Sequence, residues 1–483
     1  MRCLASGRSF DKSCLNRYHF FCPKAGFSQG GLFIKLLLLP LTACVICAAS
    51  LASAQSYSLT VTLDNPDPDA DDRFGHSVAI DGGIAVVGAD LDDTIVPDAG
   101  SVYVFDVTNG NLLNTLNDPN PSPSKDYFGS SVAVYGDTVV VGAYADDAGQ
   151  TFTSNDIIFP NSSYDSGAAY LYDLNTEGTT EPTTELEHPD PQASDRFGSS
   201  VATTDTYAVI GDWQDDINIP GVGDYNDGSA YVFDVATGNR LFRLDNPTPE
   251  SGDFFGASVA ISGNIAVVGA YSDDTGATNA GSAYIFDVTT GVLLQTLSNP
   301  TPGAFDGFGG SVSISGNTVL IGARGAGEAY VYELDPNNLT QSTLIATLIN
   351  PGADETDLFG STVAVSGDIA VVGAEGDDTG ALDAGSVYIF DVATGDLLQT
   401  LNNPDPDVAD LFGTSVAASG DTIIVGAQTD ISRSDGAGTA YIYSSAVVSV
   451  PEVSATGALA AFGSLLAMMA FLWERRRLAD LVG

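Results

Sequence analysis

The 483-residue chain carries 16 Lys and Arg against 62 Asp and Glu, a formal net charge of −46. Six of the bases and one acid precede Gln55, and three of each follow Val447, so residues 55–447 hold seven bases against 58 acids, a net of −51. Such a surface repels nucleic acid and anionic lipid headgroups and attracts cations. All five cysteines lie before Ala54, so the rest of the chain has no disulfide, thiolate nucleophile or cysteine metal site.

Residues 1–54 read as a leader. Lys35 is followed by a mostly apolar run from Leu36 to Leu51 and then by Ala52-Ser53-Ala54, a small-x-small pattern that predicts export with cleavage after Ala54. Leu41-Thr42-Ala43-Cys44 also fits a lipobox, which would leave a lipidated Cys44. The next segment, Leu59-Thr60-Val61-Thr62-Leu63-Asp64-Asn65-Pro66, reads as one strand ended by Asn-Pro.

Seven copies of one unit follow. Each opens on Asp-x-Phe-Gly, at Asp72, Asp126, Asp195, Asp253, Asp306, Asp357 and Asp410. In the fourth copy, Ser258–Ile261 is a short strand of small and β-branched residues. Ser262-Gly263-Asn264 is a tight turn, and Ile265–Val268 is a buried strand. A polar loop leads to Ser282–Asp287, where aromatic and aliphatic residues alternate, and Leu293–Leu297 makes a fourth strand before Asn299-Pro300. The repeated phenylalanines are spaced by 54, 69, 58, 53, 51 and 53 residues. A four-stranded antiparallel unit at that period predicts an all-β fold, a seven-bladed β-propeller over residues 55–447. The last copy stops after Tyr441-Ile442-Tyr443 and lacks its fourth strand. The Leu59–Leu63 strand supplies what is missing, so the N-terminal strand is expected to close the ring and remove the open sheet edges.

Residues 448–483 form a separate tail. Ala455–Trp473 is a run of 19 apolar or small residues, about 28 Å as a helix and long enough to cross a bilayer. Arg475-Arg476-Arg477 follows, which predicts a cytoplasmic C-terminus with the repeats outside. The order Val450-Pro451-Glu452, apolar helix, arginine cluster resembles the PEP-CTERM sorting tail, which an exosortase recognises and removes; Val453 stands where that family's second proline is usual. The repeats themselves, Phe-Gly-x-Ser-Val-Ala, then Val-Val-Gly-Ala, then Gly-Ser-x-Tyr-x-Phe, resemble the FG-GAP repeat of integrin α-type propellers and their bacterial relatives. The integrin-type calcium loop Asp-x-Asp-x-Asp-Gly is not present between the first two strands, where only turns such as Ser366-Gly367-Asp368 occur.

Candidate chemistry concentrates in the loops after strands two and four, which strand direction places on one face. Asp92-Asp93, Asp146-Asp147, Asp215-Asp216, Asp273-Asp274 and Asp377-Asp378 all fall after strand two. In one reading each aspartate pins a turn by accepting a backbone hydrogen bond. In the other, paired aspartates and carbonyls coordinate calcium, the one cofactor considered. Asp273, Asp274, Asp377 and Asp378 then lead, with Asp92, Asp93, Asp146 and Asp147 behind them; Arg324-Gly325-Ala326-Gly327 makes the fifth blade an exception.

Two loops are oversized and have apolar tips. One carries Ile157, Ile158, Phe159 and Tyr164; the other carries Ile219 and Tyr225 beside Trp213. They are candidate partner-binding surfaces. No catalytic motif stands out, and only His76 and His188 occur within residues 55–447. The expected role is binding at the cell surface, to an extracellular protein or polysaccharide, with membrane attachment through the C-terminal helix. A carboxylate-dependent carbohydrate-active hydrolase or lyase is the alternative.

Overall fold

The computed structural model describes residues 56–446 apart from 122–124, 147–152, 155–156, 159–165, 176–178, 190, 192–193, 216–225, 353–354 and 431–435. The leader, the lipobox, the apolar run Ala455–Trp473 and the Arg475–Arg477 cluster lie outside the described residues. Among the described residues no helix is long and apolar enough to cross a membrane. One compact unit spans Gln55–Val447.

The unit contains seven four-stranded antiparallel sheets. Blade one is Ser77–Asp81, Ile84–Ala89, Ser101–Asp106 and Leu112–Asn117; blade four is Phe255–Ser262, Ile265–Ala270, Ser282–Asp287 and Val292–Ser298. The other blades repeat this order, and the first strands of neighbouring blades lie against one another, which makes them the innermost. The second and third strands are buried almost throughout, because both faces are covered by adjacent blades. Blade seven takes its outer strand from the other end of the chain. Ser56–Asp64 pairs antiparallel with Thr439–Ala446, from Ser56↔Ala446 to Asp64↔Thr439.

Seven apolar clusters fill the seven junctions between blades. Phe255 shares one with Val232 and Leu244 of blade three and with Val268 and Tyr284 of its own blade. Phe74 shares another with Leu63, Ala440 and Ile442 of blade seven, so the closing junction is packed like the rest. All seven Phe-Gly phenylalanines are fully buried, each contributing roughly 1.5–3 kcal/mol of transfer free energy. A bulge aims them. The register jumps from Phe255↔Ala270 to Ser258↔Gly269, and Gly256 and Ala257 take up the slack. Gly256 has φ +89°, and a Cβ there would lie 2.2 Å from the Ser229 carbonyl oxygen, so only glycine fits.

The serine of Phe-Gly-x-Ser completes each junction. Ser77 Oγ donates to the Gly129 carbonyl at 2.7 Å, Ser131 to Gly198 at 2.6 Å, Ser200 to Gly256 at 2.8 Å and Ser258 to Gly309 at 2.7 Å. Thr362 does the same to Gly413 at 2.8 Å, and Ser415 to Gly75 at 2.7 Å across the closing junction. At the fifth junction Ser311 Oγ instead accepts the Val363 N–H at 3.0 Å.

Candidate functional site

The loop aspartates do two different jobs. The first acid of each pair is buried and held by the third-strand tyrosine of its own blade. Tyr103 donates to Asp92 at 2.5 Å, Tyr284 to Asp273 at 2.5 Å, Tyr388 to Asp377 at 2.5 Å, and Tyr231 to Asp215 at 2.5 Å. Tyr170 donates to Asp146 and Tyr441 to Asp430 in the same way. The other carboxylate oxygen caps the loop, accepting Thr94 N–H on Asp92 at 2.8 Å, Thr275 N–H on Asp273 at 2.7 Å and Thr379 N–H on Asp377 at 2.7 Å. The second acids Asp93, Asp274 and Asp378 are exposed and accept the backbone N–H of Asp98, Asn279 and Asp383 at 2.6, 2.7 and 2.9 Å. In blade five Glu328 takes the tyrosine, Tyr330.

A second latch joins each Asn-Pro stop to the next Asp-x-Phe-Gly. Asn65 donates to Asp72, Asn246 to Asp253, Asn299 to Asp306, Asn350 to Asp357 and Asn403 to Asp410, each at 2.8 Å. Burial pushes the Asp72 and Asp253 carboxyls up to about 7, against the backbone N–H bonds that favour the charged form. Two latches depart from the pattern. Asp118 replaces asparagine opposite Asp126; burial first, then the Asp146 charge, pushes it up to about 8. His188 replaces asparagine opposite Asp195.

Only part of the two oversized loops is described. Phe159, Tyr164, Ile219 and Tyr225 lie outside the described residues, as do Asp147 and Asp216. Ile157 and Ile158 form a two-stranded hairpin with Thr153–Ser154. Trp213 is half-buried and stands at the mouth of the central axis, lining a cleft with Tyr144 and Arg196.

That mouth is built from two positions of the repeat where the copies differ. One is the residue that follows strand two, after Gly-Ala or, in blade three, Gly211-Asp212, which supplies Asp90, Tyr144, Trp213, Tyr271 and Arg324. The other is the residue before Phe-Gly, which supplies Arg73, Tyr127, Arg196 and Phe254. Tyr127 stacks on Tyr144 at 4.7 Å, with the Arg196 guanidinium 5.1 Å over the Tyr144 ring. Trp213 meets Phe254 edge-on at 4.9 Å, and Phe254 stacks on Tyr271 at 5.3 Å. Buried Asp90 holds Arg73 at 3.5 Å and His76 at 3.7 Å, and His76 bonds Gln428 of blade seven at 2.6 Å. Glu375 of blade six is raised by burial and lowered by Arg324 and by His76, a residue of the non-adjacent blade one. Side chains of blades one, five and six thus act on one another at the axis.

The backbone itself presents these groups. Arg73, Tyr127 and Phe254 have φ of 58°, 57° and 56°, where blade five uses Gly307. A side chain in that region costs roughly 1–2 kcal/mol, and the flanking junction contacts hold it there. Two clefts open on the mouth. One of about 360 Å³ is lined by His76, Ser130, Tyr144, Arg196, Ser199 and Trp213. The other, about 160 Å³, lies between Tyr271 and Arg324. A cleft of about 370 Å³ at the rim of blade five is lined by one stretch, Glu333–Ile345, and brings no distant groups together.

Behind the larger cleft lies a buried pair. His188 Nε2 is 2.6 Å from Asp212 Oδ2, and Asp212 Oδ1 accepts the Arg196 N–H at 2.8 Å. With Asp215 these groups have donor atoms within 4.8 Å of one another, a set that resembles a metal site. The 2.6 Å separation suits a shared proton; a metal bound to both at about 2.0–2.2 Å would hold them farther apart.

The sequence comparisons agree with this architecture. The FG-GAP repeat matches residues 57–105, 122–172, 183–233, 248–286, 295–332, 343–390 and 397–443. Four of those segments, starting at residues 57, 295, 343 and 397, begin within the outer strand of the preceding blade, the first of them in the closing strand. A VPEID-CTERM protein sorting domain matches residues 450–480, which marks an exported protein processed at its C-terminus. No curated protein matches the chain. The chain belongs to the FG-GAP repeat family, as a seven-bladed propeller followed by a VPEID-CTERM sorting domain.

Proposed function

We infer that this is a cell-surface binding protein whose propeller contacts extracellular polysaccharide through the axial mouth. The carrying observation is the wall Trp213, Phe254 and Tyr271, half-buried rings from consecutive blades in one contact series. Aromatic faces beside charged hydrogen-bonding groups suit sugar rings, which present an apolar C–H face and polar hydroxyl edges. The sorting domain supports export, and the signal peptide and membrane helix read from the sequence fit the same route.

Incubating the protein with a panel of immobilised and soluble polysaccharides tests this. Retention without turnover supports the binding role. New reducing ends or unsaturated products would replace it with a hydrolase or lyase that uses carboxylates of this face. Retention that survives Trp213→Ala and Tyr271→Ala together would move the site away from the axis.

A further inference from the structure

We propose that the axial mouth recognises a sugar residue bearing a carboxylate, of the uronic-acid class. This rests on the polysaccharide-binding reading above and narrows it. The argument starts from scarcity. Residues 55–447 contain seven bases, and three of them, Arg73, Arg196 and Arg324, stand at this one mouth with His76. Everywhere else the propeller is overwhelmingly acidic. Bases spread for solubility or turn structure would have no reason to gather where the inner strands end.

Their environments differ in a way that suggests roles. Arg73 is held by buried Asp90, which makes it part of the frame. The Arg196 backbone N–H is held by Asp212, and its guanidinium is fixed at two points: Nε donates to Gln214 at 2.9 Å and the plane lies over the Tyr144 ring. A planar fork fixed that way, at a cleft of about 360 Å³, is set to meet a carboxylate. Arg324 is exposed, and its guanidinium makes no hydrogen bond or ion pair among the described residues, although its charge acts on Glu375. It borders the second cleft with Tyr271. The aromatic wall runs from one cleft towards the other, from Trp213 through Phe254 to Tyr271. A short oligosaccharide lying on that wall would place acidic units by Arg196 and by Arg324. Two acids share the mouth: Asp90 is tied to Arg73, and burial raises Glu375 towards its neutral form; the more distant exposed acids are screened beyond about 8 Å at physiological salt.

The test compares an oligogalacturonide with a neutral galacto-oligosaccharide of equal length, by titration calorimetry on the whole protein. The acidic oligomer is expected to bind at least tenfold more tightly. Arg324→Gln and Arg196→Gln should each weaken it about tenfold and leave the neutral oligomer unaffected, while Trp213→Ala should weaken both. Raising the salt concentration should weaken the acidic oligomer alone. Arg324 is exposed, so its variant keeps the fold, and a thermal melt verifies the other two. Equal affinity for both oligomers would overturn the carboxylate while leaving polysaccharide binding intact. Acidic binding unchanged in both arginine variants would place the carboxylate elsewhere and overturn the site. Binding of neither would overturn this proposal, and only absence of every polysaccharide in the panel above would remove the wider reading.

Discussion

His188 Nε2 lies 2.6 Å from Asp212 Oδ2, and both side chains are fully buried. Neither belongs to the repeat: asparagine precedes proline in five of the other latches, and alanine ends the second strand of every other blade. The two departures meet in one blade and satisfy each other, and Asp212 then fixes the Arg196 N–H. Asp212→Ala alone should cost roughly 3–5 kcal/mol, because it strands a buried imidazole. The double variant His188→Asn, Asp212→Ala restores the common pattern and should recover at least half of that loss. Chemical denaturation of the four proteins in the cycle measures it. Additive losses would show that the two residues act independently.

Asp118 offers a pH test. Its folded pKa of about 8 lies above the unfolded value near 4, because burial and neighbouring carboxylates disfavour its charge. Its contribution to stability is therefore fully present below about pH 4 and is lost as pH rises through 8. Asp72 and Asp253, raised to about 7, act in the same direction. The propeller should melt higher at pH 5 than at pH 8. Asp118→Asn supplies the N–H donor that the other latches use, and should stabilise by roughly 1–3 kcal/mol at pH 8 and by nothing measurable at pH 4. A variant as pH-sensitive as the parent would mean that Asp118 is charged in the folded state.

Closure of the ring depends on the first nine described residues. Leu63 and Tyr57 of that strand are almost wholly buried in two different junction clusters. Gln399 of blade six also clamps Tyr57, accepting its N–H and donating to its carbonyl, both at 2.8 Å. Deleting residues 56–64 should cost roughly 5 kcal/mol or more and open the Thr439–Ala446 edge to association. Thermal melting with light scattering reports both effects. An unchanged midpoint would mean that the ring does not need its closing strand.

Divalent cations give a fourth test, since Asp92, Asp273 and Asp377 are each already bonded to a tyrosine and to a loop N–H. The melting midpoint is expected to stay within about 2 °C when EDTA replaces calcium. A rise of several degrees with calcium, abolished in Asp274→Asn and Asp378→Asn, would assign the exposed acids to a metal.

The repeated parts of the fold were legible because their causes are local. Gly256, Phe255 and Ser258 recur for reasons that each copy carries in itself: a positive φ, a buried wedge, a donor to the next blade. The missing fourth strand of the last copy likewise announced its partner at the other end of the chain. Trp213 is legible in the sequence as a candidate beside the long loop of blade three. Tyr144, Arg196, Phe254, Tyr271 and Arg324 were not singled out as one site, because each sits at a variable position separated from the next by tens of residues.

Sequence alone determined the number of blades, the strand order within each and the strand that closes the ring, since these follow from periodicity and from one strand missing at one end and spare at the other. Tertiary structure alone decided which differences between the copies matter. Ring closure brings the ends of the inner strands to a single axis, where side chains from non-adjacent blades share one environment. It also decided that the first loop aspartates are tied to tyrosines eleven or more residues away, as Asp273 is to Tyr284. Those pairings depend on which carboxylates the folded blades bury, and burial is a property of the assembled ring.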